Sequence, residues 1–302
     1  ASKLLAEATS GNHQIDSQYY PIVSGSVVGS VYAKKGNIDF IRLRFDNTSS
    51  NIRGWFDLEN GVVGSVDGGG EGKIESVGNG WYRCTLIESG NTSVGSSRLQ
   101  LFLNESDAQT SWTANGDEYT HIWGAQTENP VSYPTSYIPT YGSSQTRAGE
   151  LCNSAGDAST FNSTEGVLYA EIAALADDQS SRVISLTDGT FDERIQLSYY
   201  TGGSNQIRVF IKSGGTFSAV ITTTLTDITE FSKIAYRYKS GETKLFINGS
   251  LIGTSADTFS ITGLNVFQFA NGNGTSDPLQ GKVKQVLVFK EALSDTELIK
   301  LT

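Results

Sequence analysis

Phe40-Ile41-Arg42-Leu43-Arg44-Phe45 puts Ile41, Leu43 and Phe45 on one face of an extended chain and Arg42 and Arg44 on the other. Successive side chains of a strand point to opposite sides of its sheet, so a period of two marks a strand buried on one face only. Arg98-Leu99-Gln100-Leu101-Phe102-Leu103 repeats it, with Leu99, Leu101 and Leu103 inward and Arg98 and Gln100 outward. The alternation returns in Ile207/Val209/Ile211, Ile234/Tyr236/Tyr238 and Val283/Gln285/Leu287/Phe289. Asn60-Gly61, Asn79-Gly80, Asn115-Gly116 and Asn248-Gly249 punctuate these runs, and Asn-Gly readily supplies the positive φ angles of a type I′ hairpin. Many short one-sided strands joined by tight turns read as all-β, with two tandem antiparallel β-sandwiches.

Composition points the same way. A chain of 302 residues exceeds the roughly 100–200 of one domain. Only 18% of residues are charged, while there are 33 glycines and 13 tyrosines, which suits strands and turns better than helices. Pro130, Pro134 and Pro139 close the first block, residues 142–163 are small and polar, and alternation restarts at Gly166-Val167-Leu168-Tyr169. The expected division is a first domain at 1–147, a linker at 148–164 and a second domain at 165–302. One helix is expected, opened by the capping box Ser294-Asp295-Thr296-Glu297.

The net charge of −10 argues against nucleic acid and anionic membranes as partners, and leaves room for an acidic glycan held at a local basic patch. No apolar run approaches the ~18 residues of a membrane span, so no membrane insertion is expected. The chain begins at Ala1 and contains no methionine, which suggests a fragment or processed product. Its two cysteines, Cys84 and Cys152, are expected to be free thiols, since one bridge is no disulfide framework.

The second block carries Gly166-Val167-Leu168-Tyr169-Ala170-Glu171, Lys244-Leu245-Phe246-Ile247-Asn248-Gly249 and Pro278-Leu279-Gln280-Gly281-Lys282-Val283. It closes with Val286-Leu287-Val288-Phe289-Lys290 and Ala292-Leu293-Ser294-Asp295-Thr296-Glu297-Leu298. This succession resembles the concanavalin A-like lectin/glucanase superfamily in its laminin G-type form. The first block is similar to carbohydrate-binding-module-like jelly rolls of phage tail and virion proteins. The stretches that carry this likeness are Val28 to Lys34, Gly78 to Cys84, Trp123 to Glu128 and Thr135 to Thr140. The resemblance implies a glycan-binding, host-attachment region of a phage tail or virion surface protein, on the virion surface or extracellular. Its partner would be a cell-surface or extracellular polysaccharide, and a fibre setting implies a homo-oligomer, a trimer. The alternatives are an ancillary carbohydrate-binding region of a secreted polysaccharide-degrading enzyme and a structural spacer or capsid decoration without ligand.

Catalytic residues are hard to assemble. Glycosidases of the superfamily carry E-x-D-x-x-E or E-x-D-x-E on one strand, which sets carboxylates ~5–5.5 Å apart for retaining chemistry. No such run exists here; the nearest pairs are Asp57/Glu59 and Asp192/Glu193. His13 and His121 are the only histidines and form no metal-ligand spacing. The chain therefore reads as non-catalytic. For binding, sugar rings stack on aromatic faces while polar groups meet their hydroxyls. Trp55 and Trp112 lie among polar residues and are expected to be exposed platforms, whereas Trp81 and Trp123 read as structural. Arg42, Arg44 and Arg98 would line the solvent face of one sheet, a seat for an acidic sugar. Tyr199 and Tyr200 are the exposed aromatic candidates of the second block. Both sandwich families often hold structural calcium, for which Asp177, Asp178, Asp188 and Asp277 are the acidic loop positions.

Overall fold

The computed structural model describes residues 1–47, 51–90, 94–146, 152 and 155–302. Its strands gather into two units, Ala1–Gln145 and Thr146–Thr302. Of the expected linker, residues 148–151, 153 and 154 lie outside the described residues.

The first unit runs β1 (Ser2–Leu5), β2 (Ser10–Gly11), β3 (His13–Asp16), β4 (Tyr20–Ile22), β5 (Val27–Lys35), β6 (Phe40–Asn47) and β7 (Arg53–Asp57). It continues with β8 (Val62–Asp67), β9 (Glu71–Gly78), β10 (Trp81–Glu88), β11 (Gly95–Asn104), β12 (Trp112–Thr113) and β13 (Tyr119–Glu128). One sheet has the order β1-β13-β5-β10-β9 and the other β3-β11-β6-β7-β8, with β4 added to β11. Leu43 pairs with Leu101 and Ile41 with Leu103, so the alternation of β6 and β11 turns the same face inward. Ile41, Leu43 and Phe45 are fully buried there. Val31, Ala33, Cys84 and Leu86 meet them in one apolar cluster.

Two of the four Asn-Gly turns have both residues at positive φ: Asn79-Gly80 (55° and 73°) and Asn248-Gly249 (47° and 80°). At Asn60-Gly61 only the glycine is left-handed, because the Asp57 carboxylate accepts from the Glu59 and Asn60 amides, each at 2.9 Å, and shapes a different turn. Burial works to raise the Asp57 pKa, but bonds from Asn60 and Glu59 leave it lowered. This carboxylate is a turn brace, and its neighbour Glu59 pairs with Lys35 at 2.5 Å.

Both cysteines are free thiols. Cys84 is wholly buried and burial pushes its pKa far up, which makes it inert. Cys152 is partly buried beside the apolar core of the second unit. One thiol per native chain, Cys152, is expected to react with an aromatic disulfide reagent, and two after denaturation. Rapid native labelling of Cys84 would contradict the packing described.

The second unit runs β14 (Glu165–Ala174), β15 (Arg182–Thr187), β16 (Arg194–Tyr199), β17 (Gln206–Ser213), β18 (Thr216–Thr224) and β19 (Ser232–Lys239). It ends with β20 (Thr243–Ile247), β21 (Ser250–Ser255), β22 (Val266–Gln268), β23 (Gly281–Phe289) and helix α1 (Asp295–Leu301). The sheets β21-β20-β19-β14-β23 and β18-β17-β16-β15-β22 are both antiparallel and enclose the larger core. Ser294 and Glu297 form the reciprocal capping box of α1. The helix lays Leu298 on Val167, Tyr169, Ala235 and Phe246, and so covers part of the outer face of the first of these sheets. Leu287 and Phe289 join that cover, while Val286 and Val288 point into the main core. Val283 departs from the expected alternation. β23 holds an extra residue, Lys284, opposite the Glu171–Ile172 step, and Val283 stands 43% exposed. Among the described residues no helix is long and apolar enough to cross a membrane.

Candidate functional site

The sheet β18-β17-β16-β15-β22 turns Ile195, Leu197 and Tyr199 of β16 and Ile207, Val209 and Ile211 of β17 into the core. By the same alternation Arg194, Gln196 and Ser198, with Arg208, Phe210 and Lys212, go to the outer face. All of these outward side chains except Lys212 line a shallow groove of about 170 Å³, completed by Tyr200, Thr201, Ser181 and Phe217.

Two guanidiniums dominate it. Arg208 lies 4.9 Å from the Tyr200 ring, 5.2 Å from Phe210 and 5.4 Å from Phe217. Arg194 lies 5.2 Å from Phe210 and 5.5 Å from Phe191, and its Nε donates to Gln196 Oε1 at 2.9 Å. Its Nη1 donates to the Phe191 carbonyl. Burial lowers the Arg194 pKa, against the pull of Asp192 and Asp277. Neither arginine forms an ion pair with a described residue, whereas Lys212 reaches Asp192 at 3.5 Å. Gly272 lets its turn pack tightly on Thr190 and Arg194: a Cβ there would meet the Thr190 carbonyl oxygen at 2.3 Å and Arg194 Cδ at 3.0 Å. Partly desolvated guanidiniums backed by aromatic rings favour a planar anion, a carboxylate above all, because the fork of N–H donors matches its two oxygens.

The structure separates the other sequence-derived candidates. Tyr200 lines the groove, but Tyr199 is 3% exposed and belongs to the core, where burial drives its pKa up. That expectation of exposure fails because adjacent strand residues face opposite ways. Trp55 and Trp112 are also corrected from exposed to buried, at 1% and 7%. Trp55 Nε1 donates to Gln109 O at 2.8 Å beneath the 105–111 loop, and Trp112 Nε1 donates to Leu103 O at 3.0 Å. His13 packs edge-on against Trp112, ring centroids 4.8 Å apart. Arg42, expected at the solvent face, is 3% exposed under the same loop and sits 3.7 Å over the Phe102 ring. Burial, then Arg53 and Arg44, push its pKa down to about 10. Arg44 is half-buried, and Arg98 is held by Asp16 (2.9 Å) and Asp46 (2.7 Å). Trp123 reverses in the other sense, since it is 46% exposed.

The four calcium candidates each accept hydrogen bonds from their surroundings. Asp177 Oδ2 accepts from the Asn205 amide at 3.1 Å, and both Asp178 oxygens accept from Arg182 Nη2 at 2.8 and 2.9 Å. Asp188 Oδ1 accepts from the amide and hydroxyl of Thr190. Asp277 Oδ2 accepts from Asn271 Nδ2 and the Ser276 hydroxyl, both at 3.0 Å. Among the described residues no three His, Cys, Asp or Glu side chains gather as a metal ion requires.

Arg194, Gln196, Arg208, Phe210 and Phe217 were missed in the sequence reading. The signal was present in Arg194-Ile195-Gln196-Leu197-Ser198 and Ile207-Arg208-Val209-Phe210-Ile211, whose outward positions set Gln196 opposite Phe210 and Ser198 opposite Arg208 on adjacent strands.

Residues 154–299 match the laminin G-type model of the Concanavalin A-like lectin/glucanases superfamily, a stretch just short of half the chain. No curated protein sequence matches. Among solved structures, the chain is similar to the leech intramolecular trans-sialidase complexed with 2,7-anhydro-Neu5Ac, at 20% identity and a TM-score of 0.39. That likeness covers 47% of this chain and 23% of the leech chain. The Ruminococcus gnavus IT-sialidase CBM40 bound to alpha2,3 sialyllactose is 24% identical over 46% of this chain and 83% of its own, with a TM-score of 0.38. Domains LG4-5 of the mouse laminin alpha1 chain are 9% identical over 94% of this chain and 86% of theirs, with a TM-score of 0.34.

Proposed function

We propose that the second unit binds a carboxylate-bearing carbohydrate in the Arg194–Arg208 groove, within a non-catalytic region that attaches its parent protein to an acidic cell-surface or extracellular polysaccharide. One observation carries the reading. In a chain of net charge −10, two guanidiniums that form no direct ion pair with a described residue, Arg194 buried and Arg208 half-buried, stand over aromatic rings in one groove. A uronic or sialic acid fits this chemistry: its carboxylate meets Arg208 and Arg194, and the apolar face of its ring rests on Tyr200 or Phe217. The match of residues 154–299 to a superfamily of lectins and glucanases supports carbohydrate as the ligand class. Attachment of a phage tail or virion surface protein is the setting we favour, on the likeness of the first unit to such modules. The full-length chain would discriminate, since a fibre shaft supports attachment and a catalytic domain supports an ancillary role.

The experiment is a glycan array with neutral and acidic members, followed by calorimetry on the strongest ligand. Binding is expected to favour carboxylated glycans. Arg208→Gln is expected to weaken it about 10–100-fold without shifting the melting temperature, the loss of a charge-assisted hydrogen bond to a ligand. Phe217→Ala, at a half-exposed ring, should cost about threefold to tenfold. Equal binding of neutral glycans, or an Arg208→Gln variant with unchanged affinity, sinks the reading. Chain length of the bound polysaccharide is expected to stay constant on prolonged incubation.

A further inference from the structure

We infer that the first unit carries a second, separate carbohydrate site, a platform centred on Trp123 that takes an anionic polysaccharide. The platform lies on the outer face of the sheet β1-β13-β5-β10-β9. Trp123 is flanked by Tyr32 at 5.0 Å and Tyr137 at 4.8 Å, with interplanar angles of 51° and 56°. Three rings in a row, the middle one 46% exposed, present a broad apolar surface of the kind on which a pyranose stacks.

Local structure builds this surface. β13 is bulged against β5 between Trp123 and Gln126, and such irregularities re-aim side chains. Gly124 sits in the bulge at φ +60°, and a Cβ there would meet Tyr32 at 3.1 Å and Tyr137 at 3.3 Å. Tyr137 belongs to the strap 135–138, which is fastened back onto β13. The Ile138 amide donates to Gln126 Oε1 and the Thr135 amide to Glu128 Oε2, each at 2.9 Å. Arg83 Nη2 donates to the Thr135 carbonyl at 2.5 Å and to Ser30 Oγ at 3.0 Å. An exposed tryptophan is thus flanked by two placed tyrosines, one of them delivered by a strap with three named anchors.

Charge selects the ligand. Across the sheet, Trp123 pairs with Tyr32 and Tyr32 with Arg83; one step along, His121 pairs with Lys34 and with Lys3. Lys3 Nζ stands 4.0 Å over the Tyr119 ring, and Lys34 Nζ donates to Asn79 O at 2.8 Å. Lys3, Lys34 and Arg83 are three cations around the rings; the acids on that face are Glu75, paired with Arg83 one strand further, and Glu128, whose carboxylate is taken up by Thr135 of the strap. A local cationic rim on an acidic chain favours carboxylated or sulfated sugars over neutral ones.

All four tryptophans lie in the first unit, so tryptophan emission reports this site and is blind to the groove of the second. The full chain carrying Arg208→Gln, to disable that groove, is titrated with alginate, dextran sulfate and neutral dextran. Saturable quenching or a blue shift is expected with alginate, dextran sulfate or both, reversed in ~1 M NaCl, where charges are screened beyond ~3 Å. The two arms tell carboxylate from sulfate. In affinity electrophoresis, Trp123→Ala should weaken retention about tenfold and Trp123→Tyr by less than about threefold, with Lys34→Gln reducing the salt dependence. Unchanged emission with both anionic polymers overturns the inference. So does a Trp123→Ala variant that melts lower yet is retained as the wild type is, since the rings then only fasten the strap. Equal response to neutral dextran overturns the anionic assignment. The second-unit groove is scored independently by the glycan array, so either site can fail alone.

Discussion

Trp55→Ala is expected to destabilise the first unit by about 3–5 kcal/mol, the cost of truncating a large buried aromatic side chain. In a domain of this size that lowers the melting temperature by roughly 10 °C. The indole is 1% exposed, and its Nε1 bonds the Gln109 carbonyl at 2.8 Å. That carbonyl also accepts from Asn104 Nδ2 at 2.9 Å and Arg42 Nη1 at 3.3 Å. Gln109 Oε1 in turn accepts from the Glu105 amide at 2.8 Å, so the loop over the sheet hangs on this cluster. Truncation therefore opens a cavity and also removes a donor that holds the cover in place. Trp55→Phe keeps most of the apolar contact and should lose only about 1–3 kcal/mol, through the missing donor. Thermal melts followed by tryptophan emission read the first unit selectively. A Trp55→Ala transition within a couple of degrees of the wild type would show that the indole is not the buried hub described.

The physics of a single strand explains what could be read from sequence and what could not. Ile41, Leu43 and Phe45 obey the alternation because both sheets of a sandwich bury one face, and the period of two survives whatever the loops do. The outward positions lack that guarantee. Trp55 and Arg42 do point away from the sandwich core, but the 105–111 loop lies over them, and a cover that arrives from another stretch of chain leaves no mark on the strand beneath. Trp123 departs in the opposite sense: Ile122 packs on the core, so plain alternation turns Trp123 outward although its apolar neighbours suggest burial. The Arg194–Arg208 groove was legible in principle. The inward triplet Ile207, Val209 and Ile211 implies outward Arg208 and Phe210, but a groove needs two neighbouring strands in register, and the pairing of Gln196 with Phe210 is a long-range fact.

The acidic loop before β15 gives the second large effect. Asp178→Ala is expected to destabilise the second unit by about 3 kcal/mol, near the low end for breaking a buried pair because the carboxylate side keeps some solvent. Arg182 is 1% exposed and Asp178 21%, and Nη2 donates to both carboxylate oxygens at 2.8 and 2.9 Å. The Arg182 Nη1 also reaches the carbonyls of Ala176 and Ser180 at 3.4 Å, so the guanidinium closes the 176–180 turn on itself. Removing the carboxylate takes both charge-assisted hydrogen bonds from a desolvated cation, and the neutral carbonyls attract it far less than that charge does. A metal-ligand role for Asp178 makes a different forecast: the wild type would melt lower in EDTA and higher with added calcium. The ion-pair account expects neither, and it expects the Asp178→Ala loss to be the same with and without calcium. Melting curves by far-UV circular dichroism, with and without EDTA, decide between the two. A wild-type shift of several degrees on chelation would return Asp178 to the metal, and no shift together with a destabilised variant leaves it as the counter-ion of Arg182.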